Sequence, residues 1–277
     1  YIHEKLWGLV KDLPLSKRAS SYLASRGLDP NAMHRLGVRD WSLALANIER
    51  GVLREERSVL EHAGLYDEDK GGIWLPLREM LAGNDNYAGV VIPVYWPGHD
   101  HPMGWRWRLI HPLGNIKTLG HGTSGHSDIL GLDRAHAAHT VIVCEGEPDY
   151  LSVAECVEDL DGVEAIGLCS IVATDTRQGH WLEHLEGMER GIFAVHFDRD
   201  KTTGARAEVA RHNFYGAGAS GKQQGLAQGM VAYFGEGARD AIEQFRVLDI
   251  DGAHDLNDWH KAGELEDAIP TWLDATS

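Results

Sequence analysis

The 277-residue chain has little cysteine and lacks any apolar run long enough to cross a membrane. Its three cysteines, Cys144, Cys156 and Cys169, form no CxxC pair, which excludes a disulfide framework and a four-cysteine zinc site. We therefore expect buried free thiols in a reducing cytosol. The longest apolar runs reach about half of the ~20 residues that a transmembrane helix needs. No basic–apolar–small leader opens the sequence, so a cytoplasmic protein without a secretory signal is expected.

The sequence also lacks a basic excess, because 26 Lys and Arg stand against 42 Asp and Glu, giving a net charge of −16. Such a charge by itself argues against a protein that coats nucleic acid non-specifically. The charge is unevenly distributed, since residues 1–60 carry a net +3 and residues 61–277 a net −19. Residues 101–127 contain Arg and Lys and no acid. The C-terminal acidity is therefore interpreted as carboxylates that collect a divalent metal.

The first eighty or so residues show the 3.6-residue periodicity of helices. Ser16 precedes one apolar run that ends at Gly27, and a second short helix is predicted from Asp29 or Pro30 to Leu36. The same rhythm continues in two further stretches, residues 43–53 and 55–62.

A β-hairpin is predicted where this periodicity ends. Residues 89–96 and 104–110 read as two strands around a Pro–Gly–His–Asp turn, and the second strand alternates with period 2. Arg106 and Arg108 then share one face of the second strand. Trp105 and Trp107 lie on the opposite face and are expected in the core rather than as platforms for base stacking.

From His139 onward strands and helices alternate, which predicts a parallel sheet with helices on both faces. The predicted strands are residues 139–144, 163–168, 191–197, 230–234 and 245–250, and the predicted helices are 149–158, 181–188, 205–211 and 238–244. The expected fold class is therefore α/β, a Rossmann-like parallel sheet preceded by a mixed α+β subdomain. We place the domains at residues 1–137 and 138–277, the second ending in a helical tail.

Acidic residues follow three of these strands at the point where each strand ends. They are Glu145 and Asp149 after the first strand, Asp198 and Asp200 after the third, and Asp255 and Asp258 after the last. Because ligands gather at the carboxyl edge of a parallel sheet, these groups are expected to face a common point. Hard carboxylate oxygens suit Mg²⁺ or Mn²⁺. For Glu147 and Asp149, simple capping of the following helix remains an equal alternative.

These motifs resemble a known family. Over residues 138–263, three motifs are similar in order and spacing to those of the TOPRIM (topoisomerase–primase) domain. They are VIVC-Glu145-GEP-Asp149, F-Asp198-R-Asp200 and Asp255-LN-Asp258. The arginine hairpin and the Asn115–Thr118 stretch ahead of Gly131 resemble the subdomain that precedes TOPRIM in bacterial-type primases. The helical opening is similar to phage and plasmid primase-like proteins, which suggests a mobile genetic element.

The resemblance implies a DNA primase catalytic core that makes short primers on single-stranded DNA from nucleoside triphosphates. It implies catalytic roles for Glu145, Asp198 and Asp200, with Glu145 as metal ligand or general base. The implied ligands of Mg²⁺ or Mn²⁺ are these three with Asp149, Asp255 and Asp258. Arg106, Arg108 and Lys117 would neutralise the triphosphate or the template backbone. A replicative helicase is an expected partner, and no association with a membrane is expected.

Two other functions stay open at this point. One is a TOPRIM nuclease that uses the same acids to hydrolyse a phosphodiester, and the other is a catalytically idle nucleic-acid-binding module of a larger replication or defence protein. Two further patterns are set aside. Residues 216–223 nearly match a phosphate-binding loop but end in Gln223 and follow no apolar strand, so a flexible loop is predicted. Four histidines, His99, His101, His121 and His126, lack a nearby cysteine or the helical HxxxH spacing of a metal site and are expected on the surface.

Overall fold

A computed structural model describes residues 2–44, 47–49, 57–62, 65–67, 72–73, 75–122, 129–144, 146–167, 169, 184–185, 188–194, 245–247 and 255–274. The chain divides into two compact units, Tyr1–Asp128 and Ile129–Ser277. The described α-helices of the first unit are α1 Ile2–Val10, α2 Lys17–Ser25, α3 Pro30–Arg35, α4 Arg57–His62 and α5 Leu75–Leu81. Its strands are β1 Tyr66–Asp67, β2 Gly72–Ile73, β3 Gly89–Val94, β4 Gly104–Leu113 and β5 Ile116–Gly122.

The helix starts at α2 and α3 follow from local capping, as the sequence predicts. Ser16 accepts a hydrogen bond from the backbone N–H of Ala19 at 3.1 Å and so satisfies one orphan donor of α2. Asp29 caps α3 in the same way, and Pro30 occupies its first turn, where its missing N–H costs nothing. α2 stops before Gly27, whose φ of 81° suits the left-handed backbone of a helix end.

The centre of the first unit is the antiparallel sheet β3–β4–β5. Trp105 and Trp107 of β4 are fully buried and pack edge-on against the buried Trp41. The prediction that both β4 tryptophans belong to the core is thus confirmed, and they are not available as stacking platforms. The third strand, β5, was not predicted; Gly114 and Asn115 form the two-residue loop that pairs Leu113 with Ile116.

The second unit contains a parallel sheet with the strand order β7–β6–β8–β9. Among the described residues, its strands are β6 Thr140–Cys144, β7 Val163–Gly167, β8 Arg190–Ala194 and β9 Phe245–Val247. The described α-helices are α6 Leu132–Ala135, α7 Glu147–Cys156, α8 Leu256–Ala262 and α9 Leu265–Asp274. β6 is buried along its whole length, as expected for a central parallel strand covered on both faces. The predicted α/β class, a parallel sheet preceded by a mixed α+β subdomain, is confirmed.

The two compact units divide between Asp128 and Ile129, and the domain boundary at 137/138 stays a prediction. The segment between these points is tied to the parallel sheet. Leu130 exchanges two backbone hydrogen bonds with Gly167 at the end of β7, at 2.9 and 3.1 Å. α6 then packs against β7. These contacts join the segment before β6 to the parallel sheet of the second unit.

Several predicted elements lie outside the described residues. They are the helices at 205–211 and 238–244, the strand at 230–234 and the glycine-rich stretch at 216–223. Within the described part of the chain, no helix combines the length and the apolar character that a membrane crossing requires.

Candidate functional site at the carboxyl edge of the parallel sheet

The carboxyl ends of three parallel strands are aligned at one edge of the second unit. Cys144, the last residue of β6, is in register with Gly167 of β7 and with Ala194 of β8. Glu145 directly follows β6 in sequence, and Asp198 and Asp200 follow β8 by a few residues. These three acids lie outside the described residues. Their convergence on one point remains a prediction.

Asp149 of the first acidic motif lies beside the third motif. It occupies the first turn of α7, and its Oδ1 accepts a hydrogen bond from the backbone N–H of Asn257, at 3.3 Å. A Cβ placed on Gly146 would lie 3.8 Å from Oδ2, so the second oxygen is near the junction between β6 and α7. Two sequence motifs more than a hundred residues apart therefore meet at this carboxylate.

Asp255 and Asp258 stand at the start of α8. The Oδ1 atom of Asp255 accepts the backbone N–H of Asp258 at 2.7 Å, which makes Asp255 the N-cap of the helix. Asp258 lies in the first turn, where a negative charge is favourable at the positive end of the helix dipole. Capping is thus a role that Asp255 already fills. Among the described residues no group of three or more His, Cys, Asp or Glu side chains is placed to hold a metal ion.

The charge of Asp149 affects the end of β6. Burial raises the pKa of the Cys144 thiol well above its usual range, and the nearby Asp149 carboxylate raises it further. Cys144 is completely buried, and its Sγ contacts the carbonyl of Ile142 at 4.0 Å. The thiol is therefore an inert core group.

The two arginines of β4 lie on one face of the strand, as predicted. Arg106 pairs with Gly120 and Arg108 with Thr118 across β5, so both point away from the tryptophan face. Arg108 is half-buried and donates to the Tyr22 hydroxyl of α2 and to Thr118 Oγ1, each at 3.2 Å. Lys117 is exposed and adjoins Thr118, so strand alternation places it on the opposite face of β5 from the arginines.

A polar cluster that the sequence did not predict lies between α6, α7 and β7. Arg134 of α6 donates to the hydroxyl of Tyr150 and forms an ion pair with Glu164 of β7, where Nε lies 3.3 Å from Oε2. Burial raises the pKa of Tyr150 to about 12. Burial also raises the pKa of Glu164, and the neighbouring Arg134 only partly offsets this effect. The cluster fixes Tyr150, the residue next to Asp149, against the sheet.

At the C-terminal end of α7, a histidine of α8 contacts both a cysteine and a glutamate. Cys156 Sγ is 3.4 Å from His260 Nδ1, and His260 Nε2 is 3.5 Å from Glu155 Oε2. Nucleophilic cysteine catalysis needs a lowered thiol pKa. Here burial raises the pKa of Cys156 to about 12, and the charges of Glu266 and Glu155 add to the effect. The arrangement is therefore not an activated nucleophile.

We accordingly expect Cys156 to react slowly with iodoacetamide at about pH 8, at least about tenfold more slowly in the folded protein than in urea, because the thiolate is the reactive form. Peptide mass spectrometry after timed quenching measures both rates for this residue. Equal rates in the two states would contradict the inert-thiol assignment.

The histidines near the β3–β4 turn form no metal site with other described residues. His101 Nδ1 instead contacts the exposed carboxylate of Asp100 at 2.8 Å, and the His99 ring lies edge-on at 6.1 Å from the His101 ring.

No protein-family model matches the sequence, and no curated protein is significantly similar to it. Solved structures do match. The zinc-binding and RNA polymerase domains of the Aquifex aeolicus primase share 16% identity at a TM-score of 0.60, covering 94% of this chain and 56% of that one. This chain thus spans just over half of that structure.

The RNA polymerase domain of the Mycobacterium tuberculosis primase DnaG matches at a TM-score of 0.62 and 16% identity, covering 97% of this chain and 80% of that one. The same domain in complex with a double-stranded DNA oligomer with a 6-nucleotide overhang matches at 0.60 and 16% identity, over 99% and 76%. At this level of identity, the similarity concerns the fold. The chain therefore has the fold of the RNA polymerase domain of bacterial primases.

Proposed function

We propose that this chain is a primase catalytic core, which joins nucleoside triphosphates into short primers on a single-stranded DNA template. The observation that carries the proposal is the combination of two features in this chain. The fold is that of primase RNA polymerase domains over 97% of the chain. Acidic motifs follow the strands of its parallel sheet, and two of these motifs meet where Asn257 donates to Asp149.

The donor set fits Mg²⁺ or Mn²⁺. These ions prefer a few carboxylates and leave positions open for phosphate oxygens and water. We assign the binding of one or two such ions to Glu145, Asp149, Asp198 and Asp200, supported by Asp255 and Asp258. Among the described acidic groups, the Asp149 carboxylate best suits this role, because its Oδ2 atom lies near the β6–α7 junction.

The reaction is nucleotidyl transfer. The 3′-oxygen of one nucleotide forms a bond to the α-phosphorus of the next, the bond to pyrophosphate breaks, and the hydroxyl proton passes to a base. When bound, the divalent ion lowers the pKa of the attacking hydroxyl and offsets phosphate charge. We assign Glu145 either to metal binding or to the acceptance of that proton.

The arginine face of β4 supplies positive charge in the first unit. Arginine binds phosphate through two parallel N–H donors, so Arg106 and Arg108 suit the triphosphate or the template backbone. We assign Lys117, on the opposite face of β5 from the arginines, to the same kind of phosphate contact, made by a longer and more flexible side chain. Single-stranded DNA and nucleoside triphosphates are the proposed partners, with a replicative helicase as the proposed associate.

The direct test incubates the protein with single-stranded DNA, Mn²⁺ or Mg²⁺ and labelled nucleoside triphosphates, and separates the products by length. New labelled oligomers support primer synthesis. Shortened input DNA would instead identify a nuclease, and retained DNA binding without either product would identify an idle binding module.

Replacing Arg106 separates nucleotide binding from folding. For Arg106→Ala we expect nucleotide affinity to fall by about tenfold, because the variant loses at least one charge-assisted hydrogen bond to phosphate. The melting temperature is expected to stay nearly constant. Arg57→Ala is the matched control, because Arg57 is a surface arginine whose Nε lies 2.7 Å from Glu61 Oε1 in α4. Fluorescent-nucleotide titration and thermal melting give the two readouts. A large loss of melting temperature without a change in affinity would show that Arg106 is structural.

A further inference from the structure

A buried hydrogen-bond chain links the start of α8 to the first turn of α7. Asn257 is completely buried, and its Nδ2 donates to Ser152 Oγ at 2.8 Å. Ser152 is also completely buried and donates its own hydroxyl proton to the carbonyl of Pro148 at 2.9 Å. The direction of the chain is therefore fixed, because Ser152 uses its proton on Pro148 and its lone pair on Asn257.

The same asparagine engages Asp149 through its backbone. Its N–H donates to Asp149 Oδ1, while its side chain is anchored through Ser152 to Pro148, the residue before Asp149. Two contacts from one residue thus hold the carboxylate and the turn that carries it. Buried polar groups are costly unless they are hydrogen-bonded, so this arrangement has a discrete geometry rather than a range of them.

We propose that Asn257 and Ser152 are positioning residues, which hold Asp149 so that its second oxygen faces the metal-binding edge of the sheet. The inference rests on the proposed function, since it takes Asp149 as a ligand of the divalent ion. Outer groups that orient a ligand typically change metal affinity by about 10–100-fold when they are removed.

Ser152→Ala is the informative variant, because it removes both hydrogen bonds of the hydroxyl while leaving a good helix former of nearly the same volume. Cys156→Ala is its matched control. Cys156 lies one helical turn farther along α7 and also contacts α8, through His260. A general loosening of the α7–α8 contact affects both variants, whereas loss of positioning affects Ser152→Ala alone.

The experiment titrates the full chain with Mn²⁺ alone, without DNA or nucleotide, and follows free Mn²⁺ by electron paramagnetic resonance. We expect the Mn²⁺ dissociation constant to rise by about tenfold in Ser152→Ala and to stay unchanged in Cys156→Ala. Asn257→Ala, checked for folding by circular dichroism, is expected to weaken binding too. The double variant Ser152→Ala/Asn257→Ala is expected to bind Mn²⁺ no more weakly than Asn257→Ala alone, because the two residues act through one chain of hydrogen bonds.

Wild-type affinity in Ser152→Ala, equal weakening in Cys156→Ala, or a wild-type protein that binds no Mn²⁺ would each overturn the assignment. Failure of the proposed function gives a different pattern. In that case Mn²⁺ binding responds to the variants as expected, but the wild-type protein makes no primers.

Discussion

Primer synthesis is expected to fall by about a thousandfold or more when Asp198 and Asp200 are both replaced by Asn. The charge stabilisation that bound metal ions give a phosphoryl transition state is worth several kcal/mol, and each ~1.4 kcal/mol corresponds to tenfold in rate. Asn keeps the shape of Asp and removes its charge, so the loss reports on the carboxylates rather than on packing. Primer yield at saturating Mn²⁺ measures the effect.

The chain offers a control with the same chemistry and spacing. Asp159 and Asp161 are also two residues apart, both are exposed, and they lie in the turn before β7, at the opposite edge of the sheet from the end of β6. The double change to Asn at these positions should leave primer synthesis unchanged. Equal losses in the two double variants would show that general acidity, not a specific site, matters.

For Gly131→Ala we expect the second unit to lose about 3 kcal/mol or more of its free energy of unfolding, because backbone strain and overpacking act together. Gly131 has a φ of +77°, in the left-handed region that favours glycine. A Cβ at this position would overlap the carbonyl oxygen of Ala165 and lie 2.8 Å from a ring carbon of Tyr150. Backbone and buried ring leave no room for adjustment.

Gly263→Ala isolates the conformational part of this cost. Gly263 has a similar φ of +74° at the end of α8, but a Cβ there meets nothing within 4 Å. A loss of about 1 kcal/mol is therefore expected. Hydrogen exchange of peptides from β6 and β7, resolved by mass spectrometry, compares the two variants within the same unit. A Gly131→Ala protein as protected as the Gly263→Ala protein would contradict the close packing of α6 and α7 on the sheet.

Features encoded by neighbouring residues could be predicted from the sequence. The caps at Ser16 and Asp29 act within one helical turn, so the starts of α2 and α3 follow directly. Alternation along β4 likewise determines which face carries Arg106 and Arg108 before any partner strand is known. In each case the deciding contact lies within a few positions of the residue.

The strand β5 was missed because its own residues favour a strand only weakly. It contains two glycines, and its formation depends on pairing with the long strand β4. The two-residue loop of Gly114 and Asn115 is the signal that predicts this hairpin, since Gly-Asn between two alternating runs favours a tight turn.

The links around the acidic motif could not be predicted because they join distant residues. Ser152 and Asn257 are polar residues of helices, and such residues usually face solvent, yet both are completely buried. Arg134 meets Tyr150 and Glu164 through packing of α6 against α7 and β7. The sequence thus predicts which edge of the sheet carries the acids, and tertiary contacts determine which groups orient them.

We infer that acids from separate loops of the second unit meet at one divalent ion. A crystal structure of the protein grown with Mn²⁺, with the ion located by its anomalous scattering, tests this claim most directly. We predict a Mn²⁺ ion bound by carboxylate oxygens of Glu145 and of Asp198 or Asp200, on the side of the sheet where Asp149 lies. Glu145 standing farther from both aspartates than one hydrated cation can bridge, with Mn²⁺ bound elsewhere, would contradict it.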